Sequence, residues 1–341
     1  MIMPTRVPAS FLRCAIMAFA LLPLAALGAP IKLKLAYFTS DQTRTYTLGI
    51  KPFIDAVNAD EDGGLMIESY PGGALGKEPA QQAQMLRTGA ADIAYMVLGA
   101  AANEFRDHAV VELPGLFRDM PEATWVNTRL VASGILQGYD DYFVIASYAT
   151  EPEGIHTRVP IASLADLRGK RIRANNPIEA SALAMLGMSA IVLPIGKTPE
   201  AISRGTIDGA ATALGPLLDF GLGRVVTYHY FLRLGPSVRS ILMSRAKFDS
   251  LPKAGQEVIR RYSGKWLIER AVDAFEPRTT AMLEQLKSDP QRTVVFPSEA
   301  EIVVAKAAFR TLRSEWADAN PHHRQLLDAV EAEISRYRSE R

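Results

Sequence analysis

The sequence predicts an α/β protein made of two similar lobes, and three observations carry that reading. The chain has 341 residues, more than one hydrophobic core usually organises, with 48% apolar and 22% charged residues to build and cover two. Short apolar strands alternate with amphipathic helices that end on glycine, the rhythm of βα crossovers. That rhythm recurs at long range: Gly89-Ala-Ala-Asp92-Ile-Ala in the first half answers Gly205-Thr-Ile-Asp208-Gly-Ala in the second. The two are too far apart for a solenoid period and suit a repeated lobe instead. In both, a helix ends on a Gly free to turn left-handed, and an Asp-led strand starts three residues later. Two unrelated helix ends are the plainer alternative.

The N-terminus comes first. Arg6 and Arg13 precede an uncharged run over 14–27, followed by the small residues Gly28 and Ala29. This predicts a secretory signal peptide over residues 1–29, cleaved after Gly28 or Ala29, and therefore export. The run falls short of the roughly 20 apolar residues of a membrane-spanning helix, so an uncleaved anchor is the lesser alternative. Cys14, the only cysteine, lies inside that segment. Arg13 stands where lipoprotein processing needs a small residue. Disulfides, thiolate nucleophiles and cysteine-bound metals are thereby excluded from the exported chain.

Residues 31–38 alternate polar and apolar and read as a strand. A helix is expected over 45–58, with Leu48, Ile50, Phe53, Ile54 and Val57 as its apolar face. A strand over 65–70, a helix over 78–88 and a strand over 92–97 follow. Residues 143–148 form a strand that runs into Glu151-Pro152-Glu153-Gly154, a crossing between lobes. The second lobe holds strands near 171–174, 190–193 and 207–211. A return crossing falls within 224–244, where 225–231 and 240–243 are strand-like. No proline interrupts 253–275, so 248–287 could form one long helix. A late strand at 294–296 and two amphipathic helices complete the chain.

Little here looks catalytic. No G-x-S-x-G elbow occurs. Pro71-Gly-Gly-Ala-Leu-Gly-Lys77 imitates a phosphate loop, but Pro71 replaces its first Gly and Glu78 puts a carboxylate where Mg²⁺ needs a hydroxyl. Gly221-Leu-Gly223 lacks the third Gly of a dinucleotide fingerprint. None of the five histidines pairs at zinc-protease spacing, and the adjacent acids Asp140-Asp141 read as a solvated turn. No catalytic residue, metal site or cofactor is assigned. A net charge of +1 without charged blocks gives no nucleic-acid footprint.

One segment stands out: Ile161-Ala-Ser-Leu-Ala-Asp-Leu-Arg-Gly-Lys-Arg-Ile-Arg173-Ala-Asn-Asn-Pro177. A short helix ends at Gly169, and a strand then carries Arg171 and Arg173 on one face. Arg173 sits at the carboxyl end of that strand, where α/β sheets place ligands. A guanidinium there can hold a carboxylate by two parallel hydrogen bonds. A surface position or a structural ion pair is the competing reading.

With these pieces in order, the chain resembles the substrate-binding proteins of TRAP transporters, the dicarboxylate-binding (DctP-type) family. The matching residues are Leu75-Gly76-x-Glu78, Gly89-x-x-Asp92, Val111-Glu112-Leu113-Pro114-Gly-Leu-Phe117, and Pro160-Ile161-x-Ser163-x-x-Asp166-Leu-x-Gly169-Lys-x-Ile-Arg173. Leu186-Gly187, Pro194, Arg204-Gly205-x-Ile-Asp208-Gly209, Val225-Val226-x-Tyr228-His229 and Leu251-Pro252 continue the series. Each piece is weak alone; the ordered set is specific and spans nearly the whole exported chain.

The resemblance implies a periplasmic, monomeric binding protein of the type II-like, two-lobed fold, with a ligand cleft between lobes and a long bracing helix. It implies a small organic acid as ligand, delivered to the small and large TRAP membrane subunits. The family's carboxylate-binding arginine maps onto Arg173. Lobe one is expected over 31–152 with 236–280, and lobe two over 153–235 with 281–341. Asn175, Thr212 and Leu214 are expected beside Arg173, facing Phe38, Ser40, Asp41, Val97 and Leu98. Two departures matter. Ala211 and Thr212 stand where some members place an acid and an asparagine, and Glu153 stands roughly where many place a second arginine. Both imply fewer polar contacts and a less hydroxylated ligand. An enzyme on the same frame would show turnover of acids, and a sensor would lack neighbouring genes for membrane subunits.

Overall fold

A computed structural model describes Met1 and residues 29–341, so the expected signal peptide falls almost wholly outside the described residues. Lobe one is built on a five-stranded sheet of order β2-β1-β3-β10-β4. It comprises β1 (Ile31–Ala36), β2 (Leu65–Tyr70), β3 (Ile93–Val97), β4 (Tyr142–Ala149) and, much later in the chain, β10 (Val238–Ser244). Lobe two carries a six-stranded sheet of order β11-β9-β5-β8-β6-β7. Its strands are β5 (Gly154–Thr157), β6 (Arg171–Ala174), β7 (Ser189–Val192), β8 (Gly209–Thr212), β9 (Tyr228–Tyr230) and β11 (Thr293–Val295). In each sheet the antiparallel strand is the one that follows a crossing between lobes: β10 against β3 and β4, β5 against β8 and β9.

The two crossings lie side by side and are hydrogen-bonded to each other. Thr150 N–H donates to Ser237 O (3.0 Å), Glu153 N–H to Gly235 O (3.3 Å) and Leu234 N–H to Glu153 O (2.9 Å). Gly235 is required there, because a Cβ would come within 1.8 Å of the Glu112 carbonyl oxygen. This paired ribbon is the hinge.

The repeat read from the sequence is a repeat of geometry. Gly89 and Gly205 close their helices at φ +73° and +71°. Asp92 then accepts from Lys34 N–H (2.8 Å) and donates its own N–H to Lys34 O (2.9 Å). Asp208 does the same with Arg171, at 2.9 and 2.7 Å.

Helices cover both faces of each sheet. In lobe one α1 (Lys51–Ala59), entered through a wide helical turn at Thr45–Ile50, buries Phe53, Ile54 and Val57 on one face, while α2 (Gln82–Thr88) and α3 (Met120–Ser133) pack on the other. Consecutive side chains of a strand point to opposite faces, so Ile93, Tyr95 and Val97 join one cluster and Ala94 and Met96 the other. In lobe two α4 (Pro177–Met185), α5 (Thr198–Ser203) and α6 (Leu214–Asp219) play the same part.

Two expectations need correction. The stretch 248–287 is not one helix but α7 (Arg245–Ser250), α8 (Lys253–Arg261) and α9 (Lys265–Ser288), broken at Gly264, whose φ of +57° no continuing helix adopts. α9 alone is the brace: Leu267 and Ile268 pack into lobe one, Met282 and Leu286 into lobe two. Pro277 interrupts its hydrogen bonding midway without ending it. The second correction concerns the C-terminus. α10 (Glu299–Asp318) packs on lobe two through Ala305, Phe309 and Leu312, but α11 (Pro321–Ser339), expected there as well, returns to lobe one. Its buried stripe of Leu326, Leu327, Val330, Ile334 and Tyr337 lies against α3. Burial of each such side chain contributes about 1.5–3 kcal/mol, which outweighs any preference of the short connection. Among the described residues no helix is long and apolar enough to cross a membrane.

Candidate ligand-binding site

Between the lobes lies a cavity of about 560 Å³, within the usual size for a small-molecule site. Lobe two supplies the carboxyl ends of β6 and β8. Arg173, only 2% exposed, is aimed by three hydrogen bonds to neutral oxygens. Nε donates to Leu193 O (2.7 Å), Nη1 to Ala211 O (3.1 Å) and Nη2 to Asn175 Oδ1 (3.0 Å). Arg171, two residues earlier, is spent on Asp208 at 2.8 Å. Local sequence explains the difference. Arg171 opens the strand at the lobe surface, whereas Arg173 ends it in the cleft, just before Asn176 caps α4 by accepting from Glu179 N–H (2.8 Å).

Lobe one supplies aromatic rings and a second guanidinium. Tyr37, Phe38 and Tyr95 form a cluster, with Phe38 and Tyr95 stacked at 5.7 Å between centroids. Arg239, on β10 opposite Val97, is 8% exposed and donates from Nη1 to the Ser237 hydroxyl. Among the described residues neither Arg173 nor Arg239 forms an ion pair with a carboxylate. Acids are near, but burial disfavours their charge. It pushes Glu112 up to about 7, and burial together with the adjoining Glu179 holds Glu153 well above the carboxylate range. Burial and the Arg239 guanidinium lower Arg173, yet an arginine remains charged at any physiological pH. Among the described residues the cavity lining thus holds two guanidiniums, Arg173 and Arg239, that are not paired directly to a carboxylate.

Of the expected site residues, Arg173, Asn175, Thr212, Phe38 and Val97 line the cavity. Four do not. Ser40 and Asp41 lie exposed in a turn, where Ser40 Oγ accepts from Gln42 N–H (3.1 Å) and Asp41 binds the Gln42 amide (3.1 Å). Thr43 and Thr45, just beyond that turn, face the cavity instead. Leu98 points behind the sheet because it alternates with Val97. Leu214 packs into the core of lobe two, its N–H held by Glu151 Oε1 at 2.7 Å.

Sequence reasoning missed Arg239, Tyr37, Tyr95 and Asp219. Arg239 had a signal: a charged residue within the buried run Val238–Ser244 is uncommon without a task. Glu153 lines the cavity, and β10 brings a second cation, Arg239, to it from the opposite lobe.

Two α/β lobes, a paired hinge, a bracing helix and a cavity between them define a bilobal solute-binding protein. The chain belongs to family 7 of the bacterial extracellular solute-binding proteins, the DctP family, whose model matches residues 35–319. It is similar in structure to a marine metagenome TRAP solute-binding protein specific for aromatic acid ligands, in complex with metahydroxyphenylacetate, with a TM-score of 0.82 and 24% identity over 90% of this chain and 99% of that one. A TRAP solute-binding protein from Rhodoferax ferrireducens T118 in complex with copurified benzoate is similar too, with a TM-score of 0.81 and 24% identity over 91% and 99% of the two chains. At these identities the likeness shows the fold. A curated relative, a solute-binding protein of Albidiferax ferrireducens, is 26% identical over 219 residues, 62% of this chain and 63% of that protein. The match thus spans somewhat under two thirds of that relative's length.

Proposed function

We propose that this protein is the periplasmic receptor of a TRAP transporter and captures a monocarboxylate with an aromatic or apolar body. The observation that carries the reading is the Arg173 guanidinium, buried at the cleft without a carboxylate partner and opposite the Tyr37, Phe38 and Tyr95 rings. A buried cation without a counter-ion is costly unless an anionic ligand completes it. A carboxylate matches the planar fork of Arg173, and the rings suit a flat apolar body. The ligands of the two structural relatives, a hydroxyphenylacetate and a benzoate, have that chemistry.

In this reading the ligand enters the open cleft, gains contacts with both lobes only on closure, and so shifts the population toward the closed form. The chain works as an exported monomer that hands its ligand to the small and large membrane subunits and performs no chemistry on it. Among the described residues no cluster of His, Cys, Asp or Glu could hold a metal ion.

Mass spectrometry of the small molecule retained by purified protein tests the reading. So do melting shifts with benzoate, 3-hydroxybenzoate and mandelate, which should exceed the shift with galacturonate. Tight binding of the sugar acid would overturn the ligand class; turnover of any acid would overturn the receptor assignment.

A further inference from the structure

Arg239 and Arg173 reach the same cavity from opposite lobes. They are joined by a short chain of neutral groups: Arg173 Nη2 donates to Asn175 Oδ1 (3.0 Å), Asn175 Nδ2 donates to Ser237 Oγ (2.7 Å), and Arg239 Nη1 donates to that same hydroxyl. The two cations are thereby held near one another, each with N–H donors left over, on either side of the hinge ribbon. Arg239 is not needed to pair β10, since its backbone keeps register with Val97 and Tyr148 whatever its side chain. Nor is it a buried structural ion pair: among the described residues no carboxylate oxygen lies within ion-pair distance of it, and its side chain is seen to donate only to Ser237. Glu112 is occupied elsewhere, accepting from Val238 N–H (3.1 Å) and Asn176 Nδ2 (2.8 Å).

We propose that Arg239 is the second anchor of the bound carboxylate: the anion lies between Arg173 of lobe two and Arg239 of lobe one, and its charge allows the lobes to close. Two like charges on facing lobes repel, and more strongly as closure expels water. One carboxylate between them replaces that repulsion with two attractions, available only when both lobes are in place. The ligand thus has the differential affinity for the closed state that closure requires. A neutral isostere has the same shape and lacks it. This inference rests on the reading of the cavity as an organic-acid site.

The test uses benzoate and its neutral isostere benzamide, with affinities by calorimetry or competition and the radius of gyration by X-ray scattering. Wild type should prefer benzoate strongly and should compact with it. In Arg239→Met, benzoate affinity should fall by at least about tenfold, the scale for losing a charge-assisted hydrogen bond, while benzamide affinity changes little. The preference for the charged ligand then collapses, and benzoate-driven compaction with it. Arg239→Lys should keep an intermediate preference, and it serves as the informative variant if the methionine form folds poorly. Equal weakening of both ligands would mark Arg239 as structural and overturn the proposal. So would a benzoate preference in Arg239→Met equal to wild type. If Arg173→Met loses that preference while Arg239→Met keeps it, the receptor reading survives and this inference fails. Wild type that ignores benzoate would overturn both.

Discussion

The imidazoles of His156 and His229 meet through their Nδ1 atoms at 2.9 Å, deep in lobe two. The neighbours determine the tautomers. His156 Nε2 faces Thr212 O at 3.2 Å and must carry a proton, so its Nδ1 accepts. His229 Nδ1–H is then the donor, and its Nε2 accepts from Arg292 Nη1 at 3.3 Å. A relay runs from Arg292 through two neutral rings to the strand end that bears Thr212. Adding a proton to either ring leaves two donors face to face.

Acid should therefore destabilise the protein. Burial pushes His156 down to about 4, and burial with the neighbouring His156 and Arg292 pushes His229 down to about 3. Below the usual histidine pKa of about 6.5 the unfolded chain binds protons that the folded one refuses, so stability rises with pH across that window. It should be complete above about pH 6.5 and drain away as pH falls toward 4. Melting curves from pH 8 to 4 check this; the acid limb should flatten in the doubly substituted His156→Gln, His229→Gln protein.

Arg173→Ala should weaken carboxylate binding by about 1.5–3 kcal/mol or more, the range for hydrogen bonds to charged groups. Arg173→Lys should recover part of it, since an ammonium cannot present the paired fork. Calorimetry reads both, and wild-type affinity in Arg173→Ala would show the residue to be structural.

Arg44 of lobe one lies 3.6 Å from Asp219 of lobe two, beside the cavity, and begins a helical turn that has no side-chain cap of its own. The pair joins the lobes directly, so Arg44→Ala should favour the open form. Every acid should bind about two- to tenfold more weakly, by the same factor, as expected for a partly screened contact worth about 0.5–1 kcal/mol or somewhat more. Unequal losses for benzoate and mandelate would mean that Arg44 reads the ligand itself.

Export predicts a mature N-terminus at Ala29 or Pro30, checked by N-terminal sequencing of periplasmic protein. Because Cys14 would be removed, the melting temperature of the mature form should not respond to reductant.

Most of the framework was legible in the chain because it is written locally. Period-two alternation marked β1 and β6, and the glycine-then-aspartate signature marked the repeated strand starts at Asp92 and Asp208, since a left-handed turn and a side-chain clasp on the neighbouring strand need only a few adjacent residues. The same locality placed Arg173 at the end of β6 and so in the cleft. It could not separate Val97 from Leu98, or Thr43 from Ser40 and Asp41, because which side of a strand end or turn faces a cavity depends on what packs behind it. Arg239 was hidden for a deeper reason: it reaches the site only because β10 is inserted between β3 and β4 after the chain has built the second lobe and crossed back. The return of α11 to lobe one is of the same kind. An apolar stripe states that a helix must be covered and leaves the choice of cover to the whole molecule. The sequence by itself determined most of the strands, the repeated strand starts of the two lobes and the placing of Arg173 at the cleft end of β6. Tertiary structure decided which surfaces met, and with them the second arginine, because burial is a property of the partners that a segment finds.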